Sequence, residues 1–309
     1  MQLLSDIFEV LSFILIWIFD ILKETFYAIF RCRPRKQIVN ENILITGSGN
    51  GIGKLVSERL AKDGNILHCV DINESLNEKS AAELRAKGVN ATIYTYTCDV
   101  GEAANVEELY KKIKQNVPDR HISYLFNIAG IVMGKSFQEE TIGQMEKVIK
   151  VNVLGLMYLQ KMVYKEMLDN YGHVVNISSL AGIVAGPLIV DYCCSKYAVR
   201  GLTQGMIAEQ KFIGKTNVKF TSVHPHVTKT GMFNNTQAKW PLVFPLLEPE
   251  WVADQIIIAT KEERLQILLP KITNLFLSVE PLMSVGVYLK YCEVLGNGMM
   301  KTFKKIRSE

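Results

Sequence analysis

The chain of 309 residues is poor in the features that mark several protein classes, and each shortage excludes something. Nine prolines and 21 glycines without a repeat rule out collagen-like and low-complexity sequence. The six cysteines (Cys32, Cys69, Cys98, Cys193, Cys194, Cys292) include no CxxC pair and no ligand spacing. They read as free thiols in a reducing compartment, with neither a disulfide scaffold nor a metal site expected. An excess of positive charge is absent from the body of the chain. Of the net +4, Arg31, Arg33, Arg35 and Lys36 carry +4 and the tail residues Lys301, Lys304, Lys305, Arg307 and Glu309 a further +3, which leaves the rest at −3. A nucleic-acid partner is therefore not expected. A long apolar run is missing from residues 1–30, where the longest uncharged stretch, Val10 to Phe19, is ten residues against the roughly 20 that a spanning helix needs.

That amino end is nonetheless strongly apolar. On a helix, Asp6, Glu9, Asp20, Lys23 and Glu24 fall on one edge, and Leu, Ile, Phe and Trp fill the remaining circumference. Such a helix is suited to lie in the headgroup boundary, with the Arg31–Lys36 flank meeting anionic lipid on the cytosolic side. Pro34 ends it. A spanning anchor, a cleaved signal peptide and a helix packed on its own protein are the alternatives. A signal peptide normally carries its positive charge ahead of the apolar region, whereas here the charge follows.

With 48% apolar residues, a large core is available to the remainder. From Asn42 the texture becomes short β-branched runs (ILIT, ILHCVD, ATIYTYTCDV, ISYLFNIAG, HVVNISS, KFTSVHP) alternating with amphipathic stretches at about 105–116, 138–168 and 192–213. Six or seven strands interleaved with helices predict right-handed crossovers and a parallel sheet covered on both faces, a doubly wound α/β fold of Rossmann type in a single domain. The expected divisions are a membrane-attachment helix and basic flank (1–36), a Rossmann-type body with a ligand-covering loop near 231–250 (37–270), and a hydrophobic C-terminal helical extension with a basic tail (271–309).

Directly after the first strand stands Thr46-Gly-Ser-Gly-Asn-Gly-Ile-Gly53, opening a helix. Gly47, Gly51 and Gly53 permit a tight turn, close backbone approach to a pyrophosphate and helix-on-strand packing, and the helix start supplies amide donors. The next strand ends in Asp71, near where an acid binds an adenosine ribose. A carboxylate there accepts from both ribose hydroxyls and repels a 2′-phosphate, and no Arg or Lys lies between Gly47 and Gly53, so NAD is favoured over NADP.

Tyr192 and Lys196 lie four residues apart, on one face of a helix. A nearby ammonium is expected to lower the phenol's pKa, so that Tyr192 can take a hydroxyl proton. Ser179, at a strand end, is placed to hold a substrate oxygen, and Asn152 to anchor a water that passes the proton on. His224 and His226 suggest metal ligands at first sight, but no third ligand is in view and the chemistry needs no metal.

From about 42 to 232 the chain resembles the short-chain dehydrogenases/reductases, with the motifs in order: Thr46-Gly-x-x-x-Gly-x-Gly53, Asp71, Asp99, Asn127-Ile-Ala-Gly130, Asn152, Ser179, Tyr192-x-x-x-Lys196 and Pro225 through Thr230. The resemblance implies a catalytic tetrad of Asn152, Ser179, Tyr192 and Lys196, with Lys196 also holding the nicotinamide ribose. It implies that Asn50 and Ile52 join the glycines at the pyrophosphate, that Asp99 and Val100 lie beside the adenine, that Asn127, Ala129 and Gly130 line the cofactor cleft, and that Pro225, Thr228 and Thr230 hold the carboxamide and pyrophosphate region. Two departures stand out: Ile128 where the family usually has a second Asn, bearing on how the central strand is braced, and His226 where it usually has Gly, bearing on the floor of the nicotinamide pocket.

The apolar amino end, Gly-Ile-Val-Met-Gly-Lys at 130–135, Lys-Thr-Gly-Met-Phe at 229–233 and Leu-Leu-Glu-Pro at 246–249 resemble the membrane-associated branch of retinol dehydrogenases and lipid-droplet 17β-hydroxysteroid dehydrogenases. The expectation is an NAD-dependent oxidoreductase that takes a lipophilic alcohol or ketone, retinol first. A steroid or long-chain fatty alcohol is the alternative substrate, and a non-catalytic membrane scaffold the alternative of another class. Residence on the endoplasmic reticulum membrane or lipid droplet is expected, with the catalytic body facing the cytosol. Residues 272–300 read as a second membrane-touching surface or an oligomer contact, such as a homodimer face.

Overall fold

The computed structural model describes residues 2–30, 33–233, 245–274 and 284–290. It divides into two units, Met1–Lys36 and Gln37–Glu309. The first unit is a single helix, α1 (Gln2–Phe30), whose Phe8, Phe13, Leu15, Trp17, Phe19 and Leu22 are exposed. Within it Lys23 pairs with Asp20 at 2.7 Å, and Arg33 pairs with Glu24 while lying over the Tyr27 ring. Among the described residues no helix is long and apolar enough to cross a membrane. In α1 the acids interrupt the apolar surface before it reaches spanning length.

The second unit is built on one parallel seven-stranded sheet: β1 (Asn42–Thr46), β2 (Asn65–Asp71), β3 (Ala91–Thr97), β4 (Tyr124–Asn127), β5 (Gly172–Ile177), β6 (Val218–Pro225) and β7 (Gln266–Leu269) in the order 3-2-1-4-5-6-7. The helices between them are α2 (Gly51–Leu60), α3 (Glu74–Ala86), α4 (Ala103–Asn116), α5 (Ile142–Ile149), α6 (Gly155–Asp169), α7 (Val190–Phe212) and α8 (Pro249–Lys261). This is the doubly wound fold that the alternation of strand and helix patterns implies. Side chains alternate along β1, so Ile43 and Ile45 join Val56, Leu60, Val252 and Ile256 in a core on one face. Leu44 points the other way, into a second core with Val106, Leu109, Leu159 and Val163. Strands buried on both faces read as unbroken apolar runs, which is why ILIT and YLF lack polar alternation.

The stretch expected as one helix over 138–168 is divided. A capping box of Thr141 and Gln144 starts α5 only at 142, and a π-helical turn over Lys150–Leu154 separates it from α6. Periodicity at 3.6 residues does not reveal one widened turn, and such turns mark functional places in helices. Of the segment 271–309, a 3₁₀ turn (Lys271–Thr273) and a short helix at 285–290 fall within the described residues. Most of the expected C-terminal extension, its basic tail, and 234–244 of the expected ligand-covering loop lie outside them. Cys69, Cys98, Cys193 and Cys194 are free thiols, and Cys32 and Cys292 are outside the described residues.

Strand order reverses between β1 and β4, so the loops leaving their C-terminal ends diverge and open a crevice there. Thr46 joins the two: its hydroxyl oxygen accepts from the amides of Ile128 at 3.1 Å and Ala129 at 3.2 Å.

Candidate active site

Above the C-terminal ends of β1, β4, β5 and β6 lies a cavity of about 360 Å³. Its first half is the turn after β1. Gly47 and Gly51 have φ of +71° and +55°, a region open to glycine at no steric cost. A Cβ on Gly53 would sit 2.0 Å from the Gly47 carbonyl oxygen, so only glycine lets α2 start this close to the turn. The Asn50 side chain caps α2 by accepting from the Gly51 amide at 2.7 Å. Asp71 faces the turn, where its carboxylate accepts from the Gly49 amide at 2.9 Å and from the Asn73 amide at 2.9 Å.

A helix N-terminus laid open by glycines beside a fixed carboxylate matches a dinucleotide: pyrophosphate on the α2 amides, ribose hydroxyls on Asp71. Among the described lining residues Lys196 is the sole Lys or Arg. Lys54, the cation nearest the turn in sequence, pairs with Glu83 at 2.5 Å.

The second half of the wall is apolar and comes from the loop after β5 and from the 3₁₀ turn Gly231–Phe233: Ala181, Val184, Ala185, Ile189 and Met232. Where the halves meet stand Ser179, Tyr192 and Lys196. Tyr192 and Lys196 share one face of α7 and are buried. The Lys196 ammonium donates to the Ile177 carbonyl at 2.9 Å and stands 5.5 Å from the centre of the Tyr192 ring. Ser179 begins a 3₁₀ turn (Leu180–Gly182); its hydroxyl oxygen accepts from the Ala181 amide at 3.1 Å and the group hydrogen-bonds the Tyr192 phenol.

The electrostatics differ from the sequence expectation. Burial pushes the Tyr192 phenol up to about 12, against the pull of its hydrogen bond with Ser179, and pushes Lys196 down to about 8. The ammonium lies against the ring and the Ile177 carbonyl, so its charge does not overcome desolvation of the phenol. At pH 7 the phenol is protonated and the lysine is still largely a cation. The resting site therefore presents a protonated phenol to the cavity, able to donate to an oxygen placed beside it.

Asn152 sits in the π-turn, fully buried and off the cavity wall. Its Oδ1 accepts from the Ile131 amide at 2.8 Å, and its Nδ2 donates to the Ile131 carbonyl at 2.9 Å and to Ser195 Oγ at 3.0 Å. Ser195 in turn donates to the Tyr192 carbonyl at 2.7 Å. The asparagine thus ties the loop after β4 to the helix that carries the tyrosine.

The other expected cofactor residues divide in two. Gly47, Asn50, Gly51, Ile52, Gly53, Asp71, Ala129, Gly130, Pro225, Thr228 and Thr230 line the cavity. Asp99, Val100 and Asn127 do not. Asp99 accepts from the Gly101 amide at 2.9 Å, and Val100 packs where Gly155 lets α6 approach. Asn127 donates to Asn176 Oδ1 at 2.8 Å, and Asn176 donates to Thr203 at 3.0 Å, so β4 is braced to β5 and α7 by side chains, with Ile128 on the cavity wall beside them. His226 forms part of the cavity floor, its ring nitrogen 3.4 Å from the Pro245 carbonyl, and His224 is engaged by Ser222 and Ser179. Sequence reasoning missed Ser195, whose signal is only that it precedes Lys196, and the apolar residues of the loop after β5, which look like any loop; Met232 falls within the expected ligand-covering loop.

Comparison with known proteins agrees with this geometry. A family model described as short chain dehydrogenase matches residues 41–240. Epidermal retinol dehydrogenase 2 of Mus musculus is 33% identical over 265 residues, 85% of each chain. The human 17-beta-hydroxysteroid dehydrogenase 13 is 31% identical over 281 residues, 90% of each chain, and short-chain dehydrogenase/reductase family 16C member 6 of Bos taurus is 32% identical over 91% of this chain and 88% of its own. In fold, a short-chain dehydrogenase/reductase from Burkholderia phymatum in complex with NAD superposes with a TM-score of 0.69 at 24% identity, over 79% of this chain and 94% of that one.

Proposed function

The chain belongs to the short chain dehydrogenase family, in the branch of the retinol and 17β-hydroxysteroid dehydrogenases, and from that premise we propose that it is an NAD-dependent oxidoreductase of a lipophilic alcohol, retinol foremost. The observation that carries the reading is the meeting of two unlike half-cavities, one of glycines and a carboxylate and one of apolar side chains, at Ser179, Tyr192 and Lys196. A steroid alcohol is the second reading, favoured by the likeness to 17-beta-hydroxysteroid dehydrogenase 13.

The residues act as follows. Ser179 Oγ holds the substrate oxygen beside Tyr192 Oη, which in reduction gives its proton to the carbonyl oxygen and in oxidation takes the hydroxyl proton as the phenolate, after its own proton has been released to solvent. Lys196 keeps positive charge near the phenol, which favours its ionised form at the moment of transfer, and Asn152 holds the α7 start in register through Ser195. A bound nicotinamide dinucleotide supplies the hydride acceptor, with Gly47, Gly51, Asp71 and Thr230 the residues to hold it. Ala181, Val184, Ala185 and Met232 exclude water from the carbinol and fit a hydrocarbon body. The exposed apolar surface of α1 suits attachment to the endoplasmic reticulum membrane or lipid droplet, with the catalytic unit on the cytosolic side.

The test is turnover by the purified protein with NAD on a panel of retinoid, steroid and fatty alcohols, repeated with Tyr192→Phe. The expected result is oxidation of one lipophilic class and a fall in kcat of about a thousandfold in the variant, with NAD affinity retained. Turnover unchanged in the variant would refute the assignment.

A further inference from the structure

The His-Pro-His run at 224–226 holds a histidine that the reaction as described does not use. His224 lies in β6, and its side chain is wholly buried. Burial pushes its pKa down to about 4, so the ring is neutral and carries a single proton. The partners locate that proton. Nδ1 is 3.2 Å from the Ser179 carbonyl oxygen, which can only accept, so the proton is on Nδ1. Nε2 is then the acceptor, and the Ser222 hydroxyl, 2.8 Å away, donates to it. The Ser179 carbonyl sets the tautomer, the Ser222 hydroxyl, able to donate or accept, adapts to it, and His224 donates to Ser179.

The carbonyl it meets is a pivot. Ser179 is extended, with φ −164° and ψ 163°, where β5 ends and the 3₁₀ turn begins. Its carbonyl also accepts from the Gly182 amide at 2.9 Å, which closes that turn. That bond, and the contacts of the hydroxyl with the Ala181 amide and the Tyr192 phenol, tie the serine to its own turn and to α7. The His224 bond is the one that ties the Ser179 peptide group itself across to β6, the neighbouring strand, and so restrains the plane from which the hydroxyl projects. Small displacements of a group that orients the reacting oxygen are costly in rate.

We propose that His224 is a positioning residue, holding Ser179 in reactive orientation through a hydrogen bond to its backbone carbonyl. The proposal rests on the assignment of Ser179 as the substrate-oxygen ligand. It is distinct from that assignment, because His224 does not line the cavity and acts through the backbone of Ser179.

The experiment compares His224→Leu with His224→Asn in the full chain. Asparagine carries an N–H near the place of Nδ1, and leucine carries none. The expected result for H224L is a fall in kcat of about tenfold to a hundredfold with KM for alcohol and for NAD unchanged, and for H224N a kcat within about threefold of the parent. Where leucine does not fold, His224→Gln supplies the contrast, since its amide lies one methylene farther out: H224Q slow and H224N fast supports the proposal. Equal rates for H224N and its partner variant, or a change in KM alone, would overturn it. Ser179→Ala separates the two ideas. If S179A keeps its rate, the assignment of Ser179 fails; if S179A is inactive while H224L turns over normally, the positioning role alone fails.

Discussion

Replacing Asp71 with alanine tests the cofactor reading most directly. The carboxylate is half-buried and held by the Gly49 and Asn73 amides at 2.9 Å each, so it meets an incoming ribose already oriented. Its removal deletes charge-assisted hydrogen bonds to the ribose hydroxyls, each worth about 1.5–3 kcal/mol, of which water returns a part, so NAD is expected to bind roughly tenfold more weakly. For NADP the sign is opposite. Two unit charges about 5 Å apart at an effective dielectric of about 20 repel by about 3 kcal/mol; the double charge of a phosphate raises this and partial solvent exposure lowers it by a similar factor. Relief of about 3 kcal/mol is roughly a hundredfold gain in NADP affinity. The ratio of kcat/KM for NAD over NADP should therefore fall by about a thousandfold in D71A, with kcat on NAD little changed because the lost contacts are remote from the reacting atoms. Steady-state kinetics with both cofactors at saturating alcohol measures it. A parent enzyme that prefers NADP, or a ratio that moves less than tenfold, would refute the reasoning.

Two further outcomes are expected. Glu140 is buried with its carboxyl hydrogen-bonded to that of Asp191, the residue before Tyr192, and burial, reinforced by Asp191, pushes it from 4.5 up to about 7. The folded chain keeps there a proton that the unfolded chain loses, so this pair's contribution to stability is present below about pH 4.5 and is lost as pH rises through 7. The melting temperature of Glu140→Gln should decline less than that of the parent between pH 5 and pH 8, and parallel declines would contradict the shared proton. Deleting residues 2–30 should move the protein from the membrane to the soluble fraction on cell fractionation; a truncated form that still pellets with membranes would place the attachment elsewhere.

Much of this protein is settled by its order of residues. The glycine pattern after ILIT needs only local backbone geometry, so the tight turn at Gly47, Gly51 and Gly53, opening a helix, and the acid at the end of the next strand were legible. The Tyr192–Lys196 spacing likewise follows from one helical turn. Strand count and the parallel class follow from the periodicity of apolar runs. What tertiary structure decided depends on distant segments meeting in the interior. The π-turn shows only when Asn152 is seen reaching Ile131 and Ser195. The phenol's pKa rose because packing removed water from Tyr192. His224, to which the sequence assigned no role once metal binding was set aside, has its ring against the Ser179 carbonyl because β6 lies beside β5. Local bonding is written in neighbours along the chain, whereas desolvation and cross-strand contact exist only after the sheet has closed.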